Sequence, residues 1–159
     1  MILFRTICII QARLGSQRFP RKILADLCGK PVLAHVVDRA KAIRGVDAVV
    51  VACPPGDQQE IAAAVMGTLV CGPDVPENDV LARYARVAEQ ERADYVIRVT
   101  ADCVCLAPDL AEQALAALCA DPDSAAYACS RHDGGQSGWP DGMDIEAFTV
   151  GALLDADRD

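Results

Sequence analysis

Short apolar runs alternate with helical patterns along most of this chain, and that alternation restricts the fold more than any other feature. Thr6 to Gln11, Ala48 to Cys53, Thr68 to Cys71, Tyr95 to Thr100 and Ala125 to Cys129 are short and mostly β-branched or aliphatic, which predicts strands. Between them, Val32, Leu33, Val36, Val37 and Ala40 recur at helical spacing, as do Val80, Leu81, Tyr84 and Ala88, and then Leu110, Ala114, Leu115 and Leu118. The Ala-rich stretch Gln58 to Met66 predicts a further helix. Strands alternating with helices imply right-handed βαβ crossovers and an α/β fold with a mostly parallel sheet. Ligands of such sheets sit at the carboxyl ends of the strands.

The segment that ends the first strand is unusual in charge. Residues 1–30 carry six basic residues and one acid, Asp26, whereas residues 31–159 carry nine basic and 22 acidic residues, so a chain of net charge −8 has a basic amino-terminal segment. Four of those cations (Arg13, Arg18, Arg21 and Lys22) fall in the loop after the first strand, which has no acid. The acidic remainder argues against a general nucleic-acid or membrane binder, and the local charge points to a small anionic ligand. The loop fits neither GxGxxG nor GxxxxGK[ST], since only Gly15 is available and Lys22 is followed by Ile23. It can still hold a triphosphate: amides near Gly15 and Ser16 can face phosphates, Arg13 and Arg18 offer planar forks, and Lys22 a point charge.

No apolar run approaches the roughly 20 residues needed to cross a bilayer, and Arg5 interrupts the first one, so the chain is read as cytoplasmic. Its eight cysteines include no CxxC pair; several sit in strand-like runs, where a free thiol packs as a small hydrophobe. His35 lies on a helical pattern and His132 in a polar loop, and neither is assigned a catalytic role.

"QARLGSQRFPRK" followed by "GKPVLAHVVDRA" resembles the opening of the CTP-dependent cytidylyltransferases that activate acidic sugars, the acylneuraminate and ketodeoxyoctonate enzymes among them, and above all the spore-coat polysaccharide branch. The resemblance continues in order at "ENDVLARYARVAEQERADYVIRVTADC" and "WPDGMDIEAFTVGALL". It implies a nucleotide-diphospho-sugar transferase fold (GT-A-like, Rossmannoid), a three-layer sandwich. The implied reaction transfers CMP from CTP to an acidic sugar and releases pyrophosphate, for surface polysaccharide or glycoconjugate synthesis. Mg2+ as cofactor, CTP and an acidic sugar as partners, and a homodimer are implied with it. A nucleotide-binding module without turnover and a GT-A-like glycosyltransferase remain the other readings.

By the same resemblance Ala12, Arg13, Gly15, Ser16, Arg18 and Lys22 make up the triphosphate loop. Arg13 and Lys22 act catalytically there, neutralising the phosphates so that pyrophosphate can leave. Asp102, closing "DYVIRVTAD", matches the magnesium-binding, catalytic aspartate; the residues alone also allow a cap on the next element. Asn78, Asp79 and Arg83 fall near the cytidine, with Arg83 addressing the base, although Asp79 and Arg83 could equally form an i,i+4 pair on a solvated helix face. Trp139, Asp141, Asp144 and Glu146 fall beside the acceptor sugar, or else form a Pro-Asp-Gly turn and an exposed strand face. The family continues beyond the position of Asp159. The expectation is therefore a single cytidylyltransferase-like domain over 1–159 that lacks its C-terminal part and leaves an apolar strip at Val150, Leu153 and Leu154 either open or covered by a partner chain.

Overall fold

A computed structural model describes residues 4–120, 125–130, 139–140 and 142–158. Its centre is β1 (Thr6–Gln11), whose sequence TICIIQ is buried on both faces, as strands covered by helices on either side must be. β1 pairs in parallel with β4 (Ala48–Ala52) on one side and with β6 (Tyr95–Thr100) on the other, with Ile9 opposite both Val50 and Arg98. β5 (Leu69–Cys71) extends the sheet beyond β4 in parallel. Beyond β6 lie β8 (Glu146–Thr149), antiparallel to it, and β7 (Tyr127–Cys129), antiparallel to β8. The order is β5-β4-β1-β6-β8-β7, mixed at one end and parallel through the rest.

Alternation along β1 sorts the core into two layers. Cys8 and Ile10 face α1 (Val32–Lys41), α2 (Gln58–Ala64) and α4 (Pro108–Ala120), through Leu33, Val36, Ile61, Leu115 and Leu118. Ile7 and Ile9 face the other way, onto α3 (Val80–Gln90) and α5 (Val150–Arg158), through Tyr84, Ala85, Val87, Ala88 and Leu153. This is the expected three-layer α/β sandwich. α3 starts where the Asp79 carboxylate accepts from the Ala82 amide at 3.0 Å, so Asp79 caps the helix.

Two features depart from the sequence reading. The first is a small hairpin between the basic loop and α1, β2 (Asp26–Leu27) and β3 (Lys30–Pro31), turned by Cys28 and Gly29 with φ of 53° and 88°. Positive φ at both central residues is the mirror-image turn that suits strand twist, and Cys replaces its usual Asn or Asp. The second concerns α5. Leu153 is buried and Val150 and Leu154 pack half-buried against the same layer, so the strip expected to lie open or under a partner chain is covered within this chain. The reason is topological: β8 enters antiparallel beside β6 and runs straight into α5, which lays that strip against α3.

Gly72, just after β5, sits where the backbone closes on α2. A Cβ there would lie 2.9 Å from Gln58 Oε1 and 3.0 Å from the Pro55 Cα, and the Gln58 amide is held in place by donating to the Val70 carbonyl at 2.9 Å. Gly72→Ala is expected to cost about 1 to 2 kcal/mol and lower the melting temperature by several degrees in thermal denaturation.

Candidate nucleotide site

The sheet reverses its order of connection at β1, whose neighbours β4 and β6 follow it on opposite sides, and a cleft opens at the carboxyl ends of β1 and β6. Its volume is about 640 Å³. Three segments wall it: the basic loop 12–22, residues 77–78 before α3, and the turn 100–102 after β6.

The basic loop is held by backbone bonds at both ends. Ala12 is buried and donates to the Ala52 carbonyl at 2.9 Å, the Leu14 amide donates to the Asp57 carboxylate at 2.9 Å, and the Arg21 amide returns to the Leu14 carbonyl at 3.1 Å. Of the two amides expected to face phosphates, that of Ser16 is committed to the Leu14 carbonyl at 2.9 Å, so the tight turn spends it internally. Arg21 has left-handed backbone (φ 58°, ψ 24°), and its guanidinium turns away to pair with Glu60 on α2. Arg13, Gly15, Ser16, Arg18 and Lys22 do line the cleft, and neither Arg13 nor Arg18 has an ion-pair partner among the described residues. Two unspent guanidinium forks in one concavity make an anion site.

Asp102 lies on the opposite wall, and its carboxylate pairs with the Lys22 ammonium across the cleft. Partial burial pushes the Asp102 carboxyl up, but the Lys22 hydrogen bond and charge, with help from the Thr100 hydroxyl, outweigh it and hold the group below the usual carboxylate range. Asp102 precedes the start of α4 at Pro108 by a full turn of loop and faces Lys22, which is not the position of a helix cap.

Asn78 lines the cleft together with Glu77, a residue the sequence reading did not single out although it sits in the same "PENDV" stretch. Gly15 allows the two walls to approach: a Cβ on it would lie 3.2 Å from Glu77 Oε1. Arg83, expected to address the base, does not line the cleft. It is fully buried beneath it, donating to the Pro76 and Glu77 carbonyls at 3.2 and 2.9 Å. The alternative pairing with Asp79 is not formed either, since Asp79 caps α3.

A smaller recess of about 180 Å³ adjoins the cleft, Thr100 lining both, and is shaped by Arg98, Cys103, Asp144 and Glu146. Arg98 donates to Glu146 at 2.6 Å and sits 6.0 Å above the centre of the Tyr84 ring, so the pair is braced from the α3 side. The structure thus brings Asp144 and Glu146 together beside the nucleotide cleft. Trp139 is half-exposed and is not among the residues shaping the recess, and Asp141 lies outside the described residues, as does His132. His35 donates from Nε2 to the Leu27 carbonyl at 2.6 Å, a local contact between α1 and the hairpin before it, away from the cleft.

A sequence model described as cytidylyltransferase matches residues 7–136, which includes the basic loop, the 77–78 wall and Asp102. The chain belongs to the cytidylyltransferase family. A 3-deoxy-manno-octulosonate cytidylyltransferase of Anaeromyxobacter sp. (strain Fw109-5) is 42% identical over 118 residues, 72% of this chain and 47% of the relative. The chain spans about half the length of the curated relatives it matches. Among solved structures, a cytidylyltransferase from Leptospira borgpetersenii serovar Hardjo-bovis superposes with a TM-score of 0.86 at 26% identity, over 98% of this chain and 64% of that one. A CMP:2-keto-3-deoxy-manno-octonic acid synthetase complexed with CTP gives 0.77 at 22% identity, over 97% and 78%, which shows the shared fold.

In this chain the sequence pattern missed three supports of the site. Asp57 anchors the basic loop from α2's amino-terminal side, Glu77 closes on Gly15, and the Arg98–Glu146 pair bridges β6 and β8. The first two join residues far apart in the chain, and nothing in local spacing marks them. The third was within reach, because Arg98 and Glu146 carry opposite charges on strands. Their pairing followed only once β8 was known to run antiparallel beside β6. No helix among the described residues is long and apolar enough to cross a membrane.

Proposed function

We propose that this cytidylyltransferase transfers CMP from CTP to an acidic sugar and releases pyrophosphate, in the cytoplasm, where CTP is made. One observation carries the reading: two guanidinium groups without an ion-pair partner among the described residues, Arg13 and Arg18, line with Lys22 a cleft whose far wall holds the carboxylate of Asp102. The triphosphate lies along the cations, the cytidine faces Asn78 and Glu77, and the sugar enters the recess at Asp144 and Glu146. Attack by a sugar oxygen at the α-phosphorus makes one P–O bond as the bond to pyrophosphate breaks. Arg13 and Lys22 stabilise the charge that builds on the departing group.

Asp102 fits as the residue that would hold Mg2+. Among the described residues no three His, Cys, Asp or Glu gather into a cage, and Asp102, which faces Lys22 across the cleft, suits a cation that would keep its waters and take phosphate oxygens. When bound, the ion supplies Lewis-acid polarisation of the phosphoryl oxygens. The Lys22 ammonium pairs with Asp102, so a triphosphate that engaged Lys22 would leave that carboxylate open to the cation.

Pyrophosphate release measured with each of the four common nucleoside triphosphates and a panel of acidic and neutral sugars tests the reading. CTP is expected to be preferred by about tenfold or more, the worth of one or two base-reading hydrogen bonds. Turnover is expected only with acidic sugars. Equal affinity for all four nucleotides in calorimetry would remove the cytidylyl assignment, and tight CTP binding with no pyrophosphate released would favour a nucleotide-binding module. The homodimer implied by the resemblance belongs to the same proposal. An apolar groove of about 390 Å³ between α3, α5 and β7, with Leu81 and Tyr127 exposed at its mouth, is surface a second copy could cover, and sedimentation velocity decides it.

A further inference from the structure

Arg83 is the largest fully buried side chain of the described structure. Burying a guanidinium costs several kcal/mol unless a counter-charge or a full set of acceptors meets it, and no carboxylate pairs with Arg83 among the described residues. Among the described residues only its Nη2 is occupied, and Nε and Nη1 meet no hydrogen-bond acceptor there. A methionine of similar length would fill the space at lower cost, so stability alone does not account for an arginine.

What Nη2 does hold is informative. The Pro76 and Glu77 carbonyls belong to the two peptide groups on either side of Glu77. The segment containing them has prolines at 73 and 76, which donate no N–H, and among the described residues it otherwise closes by short turns, Val75 to Pro73 at 2.9 Å, Asp79 to Pro76 at 3.0 Å and Val80 to Asn78 at 3.1 Å. Fixing both peptide planes around one residue fixes the direction in which that residue and its neighbour project. Those two are Glu77 and Asn78, the wall facing the cations. A carboxylate that can accept from hydroxyls and an amide that both donates and accepts match the ribose and pyrimidine of a nucleoside, and the Glu77 carboxylate repels phosphate from that wall.

We infer that Arg83 is a positioning residue for the nucleoside half of the ligand: it acts through the two peptide groups flanking Glu77 and holds Glu77 and Asn78 against the cleft. This rests on the cytidylyltransferase reading above, and it separates the site into a nucleoside wall set from below by Arg83 and a triphosphate wall that does not depend on it.

The test compares wild type, Arg83→Met and Arg83→Lys in three measurements: calorimetric affinity for CTP, the same for inorganic tripolyphosphate, and amide hydrogen exchange of the nucleotide-free protein. In Arg83→Met, CTP affinity is expected to fall tenfold or more while tripolyphosphate affinity stays within twofold. The Val75 and Asp79 amides should exchange at least tenfold faster. Arg83→Lys, which can still donate to both carbonyls, should recover part of each change, and it carries the test by itself if the Met variant does not fold. Parallel loss of CTP and tripolyphosphate affinity, or unchanged exchange at Val75 and Asp79, would overturn the inference. Wild-type protein that binds tripolyphosphate but not CTP would overturn the nucleoside assignment together with the proposed function, whereas faster exchange in Arg83→Met would then still establish the strut.

Discussion

Asp102→Asn is expected to act in opposite directions with and without a divalent cation. The substitution keeps the shape of the side chain and removes a charge that is present throughout neutral pH, because Lys22 and Thr100 hold the carboxyl below its ordinary range despite partial burial. With Mg2+ present, pyrophosphate release should fall by at least about a hundredfold, since the loss of a carboxylate anchoring phosphoryl-stabilising charge is worth about 3 kcal/mol or more. In EDTA, CTP should bind the variant at least as tightly as wild type. There the carboxylate only repels the triphosphate and engages the Lys22 ammonium that the phosphates need. Calorimetry with and without Mg2+ separates the two regimes. A loss of CTP affinity of the same size in both would mean that Asp102 supports the cleft structurally and holds no metal.

The parts of this site that the sequence made legible are those encoded in one segment. "IIQARLGSQRFPRK" shows a buried strand ending in a loop of cations, and the structure places that loop at the switch point of the sheet, with Arg13, Arg18 and Lys22 in the cleft. Arg21 belongs to the same run of charge but its left-handed backbone turns it onto Glu60, and no local pattern distinguishes it from its neighbours. The strands β1, β4, β5 and β6 were readable because burial on both faces leaves a nearly continuous aliphatic run. β8 shows the limit of that signal. Its residues suggested a short strand, but antiparallel entry beside β6 is a property of the whole chain, and with it come the Arg98–Glu146 pair and the covering of Leu153. Arg83 fails differently. Its position in "ENDVLARY" put it next to residues that line the cleft, yet whether a long side chain points into a cleft or under it depends on one turn of helix phase and on the path of the preceding prolines.

Lys22→Ala should weaken CTP binding by about ten- to a hundredfold, the loss of one charge-assisted contact of roughly 1.5 to 3 kcal/mol. The fold should be little affected, because Lys22 opens a single short 3-10 turn, Lys22–Leu24, whose backbone an alanine keeps, and its ammonium is partly exposed. The size of the effect depends on what Lys22 is doing beforehand. Its ammonium is paired with Asp102, so part of its attraction for the triphosphate is offset by the pair that must be broken. In the Asp102→Asn background that offset is gone, and the same Lys22→Ala change, measured in EDTA, should cost more than it does in wild type. A double-mutant cycle reads the difference, with a coupling on the order of 0.5 to 2 kcal/mol expected for two charges in contact. With Mg2+ added the coupling should shrink, since the carboxylate is then taken up by the cation whether or not Lys22 is present. A cycle that closes to zero in EDTA would mean that the ion pair contributes nothing to the cleft and that Lys22 binds phosphate independently of Asp102. Coupling that survives unchanged in Mg2+ would place the cation somewhere other than Asp102.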